Sequence, residues 1–252
     1  MDLVTQALRG GAQQAAAQAL RPLQRAIVVG AGGTLGSALL AEALAAGRFQ
    51  RVAAVVAGPL TSALRGFDAL PLAALQDAPG SLGAEVAFLV FERARHANGR
   101  DEAFFQPGPA DLPALAGALH RRGVRRLLVV VPHAPALLPQ ALKAGFASVA
   151  ENEVAALGFE HLLFLRTAQA AAADAGGSRL QRFAGWWLSQ LSWMVPSAEQ
   201  PVRAVKLAAL VVQLARALPQ AAPGTRVVPP ELLWQAVQGD AEATLSAWLA
   251  QR

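Results

Sequence analysis

The chain has 252 residues, 54% hydrophobic and 15% charged, a composition that supports a sizeable core and marks a globular chain. It holds no cysteine, which excludes disulfides and thiolate chemistry and fits a cytoplasmic address. Net charge is only +5; with no tyrosine, and Lys143 and Lys206 the only lysines, a small arginine excess sets a basic isoelectric point. That origin reads against nucleic-acid binding, and Arg121, Arg122, Arg125 and Arg126 are expected as a solvated rim before a strand.

Residues 1–24 are rich in Ala and Gln, carry Asp2 near their start and lack the apolar core of a secretory signal, so they read as a frayed helix or an N-terminal extension. Short apolar runs then alternate with longer helical patterns, the signature of a parallel sheet covered by helices. The strands are expected at Ala26–Val29, Val52–Val56, Val86–Phe91, Leu127–Val131 and His161–Leu165, each continuous in apolar residues, as burial of both faces requires. Phe67–Leu72 is the candidate for a further strand, and Pro71 predicts that it is short or irregular. Helices fit Thr34–Ala46, where leucines at 35, 39, 40 and 44 precede a glycine stop at Gly47, and also Leu112–Arg122 and Pro139–Leu157.

Beyond Arg166 the texture changes. An Ala/Gly-rich stretch at 167–178 predicts a loop, Leu180–Met194 a Trp-rich helix, and Pro-Ser-Ala-Glu-Gln-Pro a break. Helices are expected at about 201–218, 230–238 and 240–250, with Val227 and Val228 as a tiny strand. The apolar stretch Leu207–Leu214 is bracketed by Lys206 and Arg216, far short of the roughly 20 apolar residues of a membrane span.

Residues 26–36 read Ala-Ile-Val-Val-Gly-Ala-Gly-Gly-Thr-Leu-Gly, a buried-strand run into a glycine turn at the mouth of a helix. Gly30, Gly33 and Gly36 give the spacing at which a tight turn lets backbone approach a pyrophosphate and a helix pack closely, with N-terminal amides facing the anion. Gly30, Gly33, Thr34, Leu35 and Gly36 are therefore the candidate dinucleotide-binding residues. The other reading is a turn that holds nothing. After the second strand come Ala57, Gly58 and Pro59, in place of the acid or arginine that would hold a ribose or its 2′-phosphate. Such a loss costs about 1.5–3 kcal/mol, so a bound cofactor, NAD or NADP, is expected to be weak, and no cofactor at all stays open.

The glycine turn, the strand at Val86–Phe91, the strand and helix at 127–157, Leu163–Arg166 and the passage from Trp-Met-Val-Pro to Pro-Val-Arg-Ala-Val together resemble the atypical short-chain dehydrogenase/reductase superfamily. The resemblance falls near its NmrA-like and Tat-interacting-protein-like members and covers about residues 25–240. The resemblance implies a Rossmann-like doubly wound parallel sheet with a small helical C-terminal cap, mainly 178–240, followed by a C-terminal helix at 241–252. It also implies a serine after the fifth strand and a tyrosine and lysine four residues apart on the next helix. Here Pro132, His133 and Ala134 stand in the serine's region, Phe146 at the tyrosine and Ala150 at the lysine. A general acid contributes roughly 10²–10⁴ in rate, so its absence should leave little of the family reaction. Phe91-Glu92-Arg93-Ala94-Arg95 also departs from the family, placing bulky charged residues near the expected nicotinamide path or at an ordinary strand end.

His133, with Ser148, Glu151 and Glu153 on the next helix, is the candidate for substitute chemistry; a strand-end histidine satisfied by backbone or water is the bland alternative. His96, His120, His133 and His161 show no metal spacing, so no metal is expected. Phe183, Trp186, Trp187, Trp193 and Met194 fit cap packing, and the Trp186–Met194 helix is also a candidate surface for a partner or homodimer. Arg179, Arg182 and Arg203 around it are compatible with a membrane surface. The function expected is a dinucleotide-binding module, a sensor or interaction protein without the Tyr-Lys chemistry. The alternatives are an NAD(P)-dependent oxidoreductase with a non-standard proton donor and a cofactor-free scaffold.

Overall fold

The computed structural model describes residues 23–47, 49–76, 80–92, 101–133, 149–168 and 202–250, with positions 23, 24, 101, 132, 133 and 168 described by their backbone. The strands are β1 (Leu23–Val29), β2 (Phe49–Val56), β3 (Phe67–Pro71), β4 (Val86–Val90), β5 (Arg126–His133), β6 (His161–Ala168) and β7 (Gly224–Val228). Helices are α1 (Thr34–Ala45), α2 (Leu72–Gln76), α3 (Leu112–Arg121), α4 (Val149–Ala155), α5 (Ala204–Ala217), α6 (Pro230–Gln238) and α7 (Ala241–Ala250).

All seven strands join one parallel sheet in the order β3-β2-β1-β4-β5-β6-β7. Parallel neighbours need crossovers; helices on both faces supply them except between β2 and β3, which residues 57–66 join without a helix. Successive residues of each strand alternate between two cores. Val28, Ala54, Phe88, Val130, Leu163 and Val228 face α1, α5, α6 and α7. Val29, Val55, Leu89, Val129 and Phe164 face α2, α3 and α4. Both faces being dry, the strands carry continuous apolar runs instead of an alternating pattern. This is a Rossmann-like α/β fold, with the strand order reversing between β1 and β4; there the crevice beyond the strands' carboxyl ends opens.

The expected strands are all present; β1 and β2 begin earlier, β5 is longer at both ends, β6 runs on to Ala168, and β4 stops at Val90, one residue short of Phe91. Phe67–Leu72 is β3, where Pro71 is tolerated because it closes an edge strand. Val227 and Val228 end a five-residue seventh strand. Helix α2 has too few residues for a periodic signal to reveal it. For the helix read at Pro139–Leu157, the described part is α4; its start, the 167–178 loop beyond Ala168, the Leu180–Met194 helix with its aromatic cluster, and residues 1–22 lie outside the described residues.

One expectation is corrected. Arg126 is buried, not part of a solvated rim, and its guanidinium reaches Glu85 at 3.2 Å. As the first residue of β5 it belongs to the sheet, and burial of an arginine demands such a partner. Arg121 and Arg125 are exposed, while Arg122 donates to the Ala74 carbonyl at 2.7 Å. Among the described residues no helix is long and apolar enough to cross a membrane.

Candidate functional site at the glycine turn

β1 ends at the β1/β4 reversal, so the turn that follows lies at the mouth of the crevice. Gly30 turns with φ +86°, and a Cβ there would overlap the Val90 carbonyl. A Cβ on Gly36 would overlap the Gly30 carbonyl, because α1 presses against the turn that launches it. These two glycines serve the tight turn and the close helix packing that the spacing implies. Gly33 is different. Its backbone is extended, a conformation open to any residue, and a Cβ would run into the carboxylate of Glu92.

Glu92 follows β4 by two residues and turns back over α1. Its Oε2 accepts from the Leu35 N–H at 2.8 Å and the Gly36 N–H at 3.4 Å. With Gly33 as N-cap and no side-chain cap of its own, these are the orphan donors at the second and third helical positions. A carboxylate here gains both hydrogen bonds and the favourable end of the helix dipole. The Gln106 amide, oriented by the donors it faces, puts its oxygen 3.2 Å from both the Gly32 and Gly33 N–H groups. Four backbone amides that could face a diphosphate are thus taken up by two side chains of this chain.

The neighbouring subsite is covered as well. Phe104 forms an antiparallel bridge with Val56, and the Phe105 N–H donates to the Val55 carbonyl at 3.0 Å. Ala57 and Gly58 donate to the Ala103 carbonyl at 2.9 and 3.4 Å. The end of β2, where an acid or arginine would meet a ribose, is therefore paired with backbone of residues 103–105. In this conformation the residues present do not fit a dinucleotide: the cradle's shape is right and its donors are engaged.

The expected catalytic region lies further along the same sheet edge. His133 is the last residue of β5, in register with Ala168 of β6. Phe146 and Ser148 lie outside the described residues, as do Arg93, Arg95 and His96. Ala150, in the first turn of α4, is half-buried and packs against the core on that face. Beside it Glu151 is buried and forms a two-pronged ion pair with Arg166 of β6, Oε1 to NH1 and Oε2 to NH2, both 2.7 Å. The sequence offers Glu151 as the acid of a substitute Ser-His-acid set. The structure instead commits both its oxygens to a guanidinium, the geometry that planar bidentate pairing favours. Glu153 is exposed. No group of three or more His, Asp or Glu that could hold a metal occurs among the described residues.

Residue spacing indicated the five glycine-turn positions, which are local in sequence. It missed what Gln106 does, and it left Glu92 between a strand-end residue and an obstruction.

No protein-family model and no curated protein matches the chain. Several solved structures are similar to it. One is a short-chain dehydrogenase/reductase superfamily protein from Agrobacterium tumefaciens with bound NAD, at 19% identity and TM-score 0.46, covering 82% of this chain and 77% of that one. A second is an oxidoreductase of the short-chain dehydrogenase/reductase family from Burkholderia thailandensis, at 17% identity and TM-score 0.45, covering 84% and 93%. A third is the Bordetella bronchiseptica enzyme WbmF in complex with NADH, at 12% identity and TM-score 0.44, covering 90% and 79%. With identities this low and TM-scores below 0.5, these likenesses decide nothing about the chain. On its own strand order and its own glycine turn, the chain has the Rossmann-like fold that its resemblance to the short-chain dehydrogenase/reductase superfamily implies.

Proposed function

We propose that this chain is a binding module built on a dinucleotide-type Rossmann fold, acting as a sensor or interaction protein and not as a reductase. A fold of this kind outlasts the chemistry grafted onto it. The observation that carries the reading is Glu92 on the Leu35 and Gly36 amides: a carboxylate sits where a cofactor's diphosphate would need to be. The chain's lack of tyrosine and the alanine at 150, with Phe146 at the position the resemblance gives to tyrosine, support the loss of Tyr-Lys proton transfer. NAD or NADP is then a weak ligand, competing with the protein's own side chains.

The test is a pair of assays on the purified chain. NADH and NADPH are incubated with a panel of aldehydes and ketones, and their oxidation is followed by absorbance. Separately, both are titrated while quenching of the five tryptophans is recorded. The expected result is no turnover above background and weak or submaximal quenching. Cofactor-dependent turnover that disappears on Gly36→Ala would overturn the reading in favour of a reductase with a non-standard proton donor. The cofactor-free scaffold draws support from the pairing of 103–105 with the end of β2; it requires that no dinucleotide saturates the protein even when Glu92 is removed.

A further inference from the structure

The geometry points to an intrasteric block: Glu92 and Gln106 hold the crevice closed, and a diphosphate-bearing nucleotide enters only by displacing them. This inference rests on the binding reading above and adds to it the regulation of that same site.

Three features of the contact support displacement over permanent closure. First, the donors are backbone N–H groups, which keep their positions when an acceptor leaves and satisfy any anion of suitable shape. Second, Glu92 is only half-buried, and among the described residues its carboxylate is held by amides and by no cation. Its departure therefore takes a carboxylate from no described cation, whereas Glu151 is buried in a bidentate ion pair. Third, Gly30 and Gly36 retain the close turn-to-helix approach, so the cradle remains shaped behind the side chains that fill it. A diphosphate and the Glu92 carboxylate are both anionic and cannot share the same two amides, so binding and blocking exclude each other. The same stretch that carries Gln106 also pairs with β2, through Phe104 and Phe105. Ligand entry at the cradle would therefore loosen a contact at the neighbouring edge of the sheet, giving a partner a changed surface to read.

If the open form is populated at one part in ten to one part in a hundred, the block weakens apparent affinity by about 10- to 100-fold. Glu92→Ala should recover that factor. Glu92→Gln keeps the length and an acceptor oxygen while removing the charge, so it should recover part of it with less disturbance of the helix cap. Dissociation constants for NADH and for inorganic pyrophosphate are measured by calorimetry on wild type, Glu92→Ala, Glu92→Gln and Gln106→Ala, with near-ultraviolet circular dichroism confirming the native fold. Amide resonances of Leu35 and Gly36 report whether the ligand reaches the cradle. The expected result is a gain of at least 10-fold for both ligands in Glu92→Ala, a smaller gain in Glu92→Gln and Gln106→Ala, and shifts at both amides. A gain for pyrophosphate without one for NADH would uphold the block and sink the dinucleotide reading. Affinities unchanged within twofold for both ligands, or a gain that leaves the two amides unshifted, would overturn the block whatever becomes of that reading. Should Glu92→Ala fail to fold, the Glu92→Gln and Gln106→Ala results decide alone.

Discussion

Two glutamates stand at the same end of the sheet and are held in opposite ways. Glu92 accepts from two backbone amides at the mouth of α1 and remains half-buried. Glu151 is locked against the guanidinium of Arg166, with 4% and 2% of the two side chains exposed. Backbone amides accept a replacement anion at little cost, whereas a buried cation that loses its bidentate carboxylate loses two charge-assisted hydrogen bonds out of reach of water. The first arrangement suits a site that opens. The second suits a wall that must not, and it joins β6 to α4, the described part of the helix where the family resemblance would place catalytic residues.

The largest expected effect tests the wall. Glu151→Ala should cost about 3–5 kcal/mol in stability measured by urea unfolding, because it removes a bidentate carboxylate from a buried guanidinium. Replacing both partners, as Glu151→Leu with Arg166→Met, should recover most of that loss, since well-packed apolar pairs often equal buried ion pairs. A single variant costing under 1 kcal/mol would erase the distinction between the two glutamates.

The glycines sharpen the comparison from the other side. Gly36→Ala drives a methyl into the Gly30 carbonyl, backbone against backbone, and should cost about 1–3 kcal/mol with no remedy at a distance. Gly33→Ala meets the Glu92 side chain, which can swing away. Its cost should be near the ~1 kcal/mol value of a lost helix cap. In the Glu92→Ala background the added cost of Gly33→Ala should almost vanish. The two substitutions are thus coupled, as neighbours sharing one contact must be. Strict additivity in that double-mutant cycle would deny the contact.

These contacts differ in how far the sequence announces them. The strands are legible because burial of both faces leaves unbroken apolar runs, and Pro71 marks an edge because only an edge tolerates a missing donor. Gly30 and Gly36 are legible because the turn and the helix packing are local. The partner that Gly33 makes room for is not, since Leu35 and Glu92 are 57 residues apart and one side chain on a distant amide leaves no periodic trace. Arg166 and Glu151 stand out individually, yet their pairing depends on how α4 settles on β6. Arg126 reads as one of a surface cluster because four neighbouring arginines look alike until the sheet takes one of them inside.

The smallest effect concerns a third way of placing a titratable group. His161 begins β6 at the opposite end of the sheet, 1% exposed, with Glu160 Oε1 3.6 Å from Nε2. Burial pushes its pKa below the usual imidazole value; Glu160 works against that shift, and Arg126 and Arg226 add to it. A depressed pKa means that the unfolded chain takes up the proton first as pH falls. The stability associated with neutral His161 is therefore fully present above about pH 6.5 and is lost as pH drops toward the folded-state value. One proton contributes at most about 1.4 kcal/mol per pH unit, and the contribution here should be a fraction of that. Urea midpoints measured between about pH 7.5 and 5.5 should fall in the wild type and fall less steeply in His161→Gln, which keeps a polar side chain and cannot titrate. Equal slopes would mean that the imidazole takes up its proton alike in the folded and unfolded chain, and a wild type that loses less stability than His161→Gln would mean that Glu160 holds the proton in the fold, making the site a weak copy of the Glu151–Arg166 pair and not a buried neutral group.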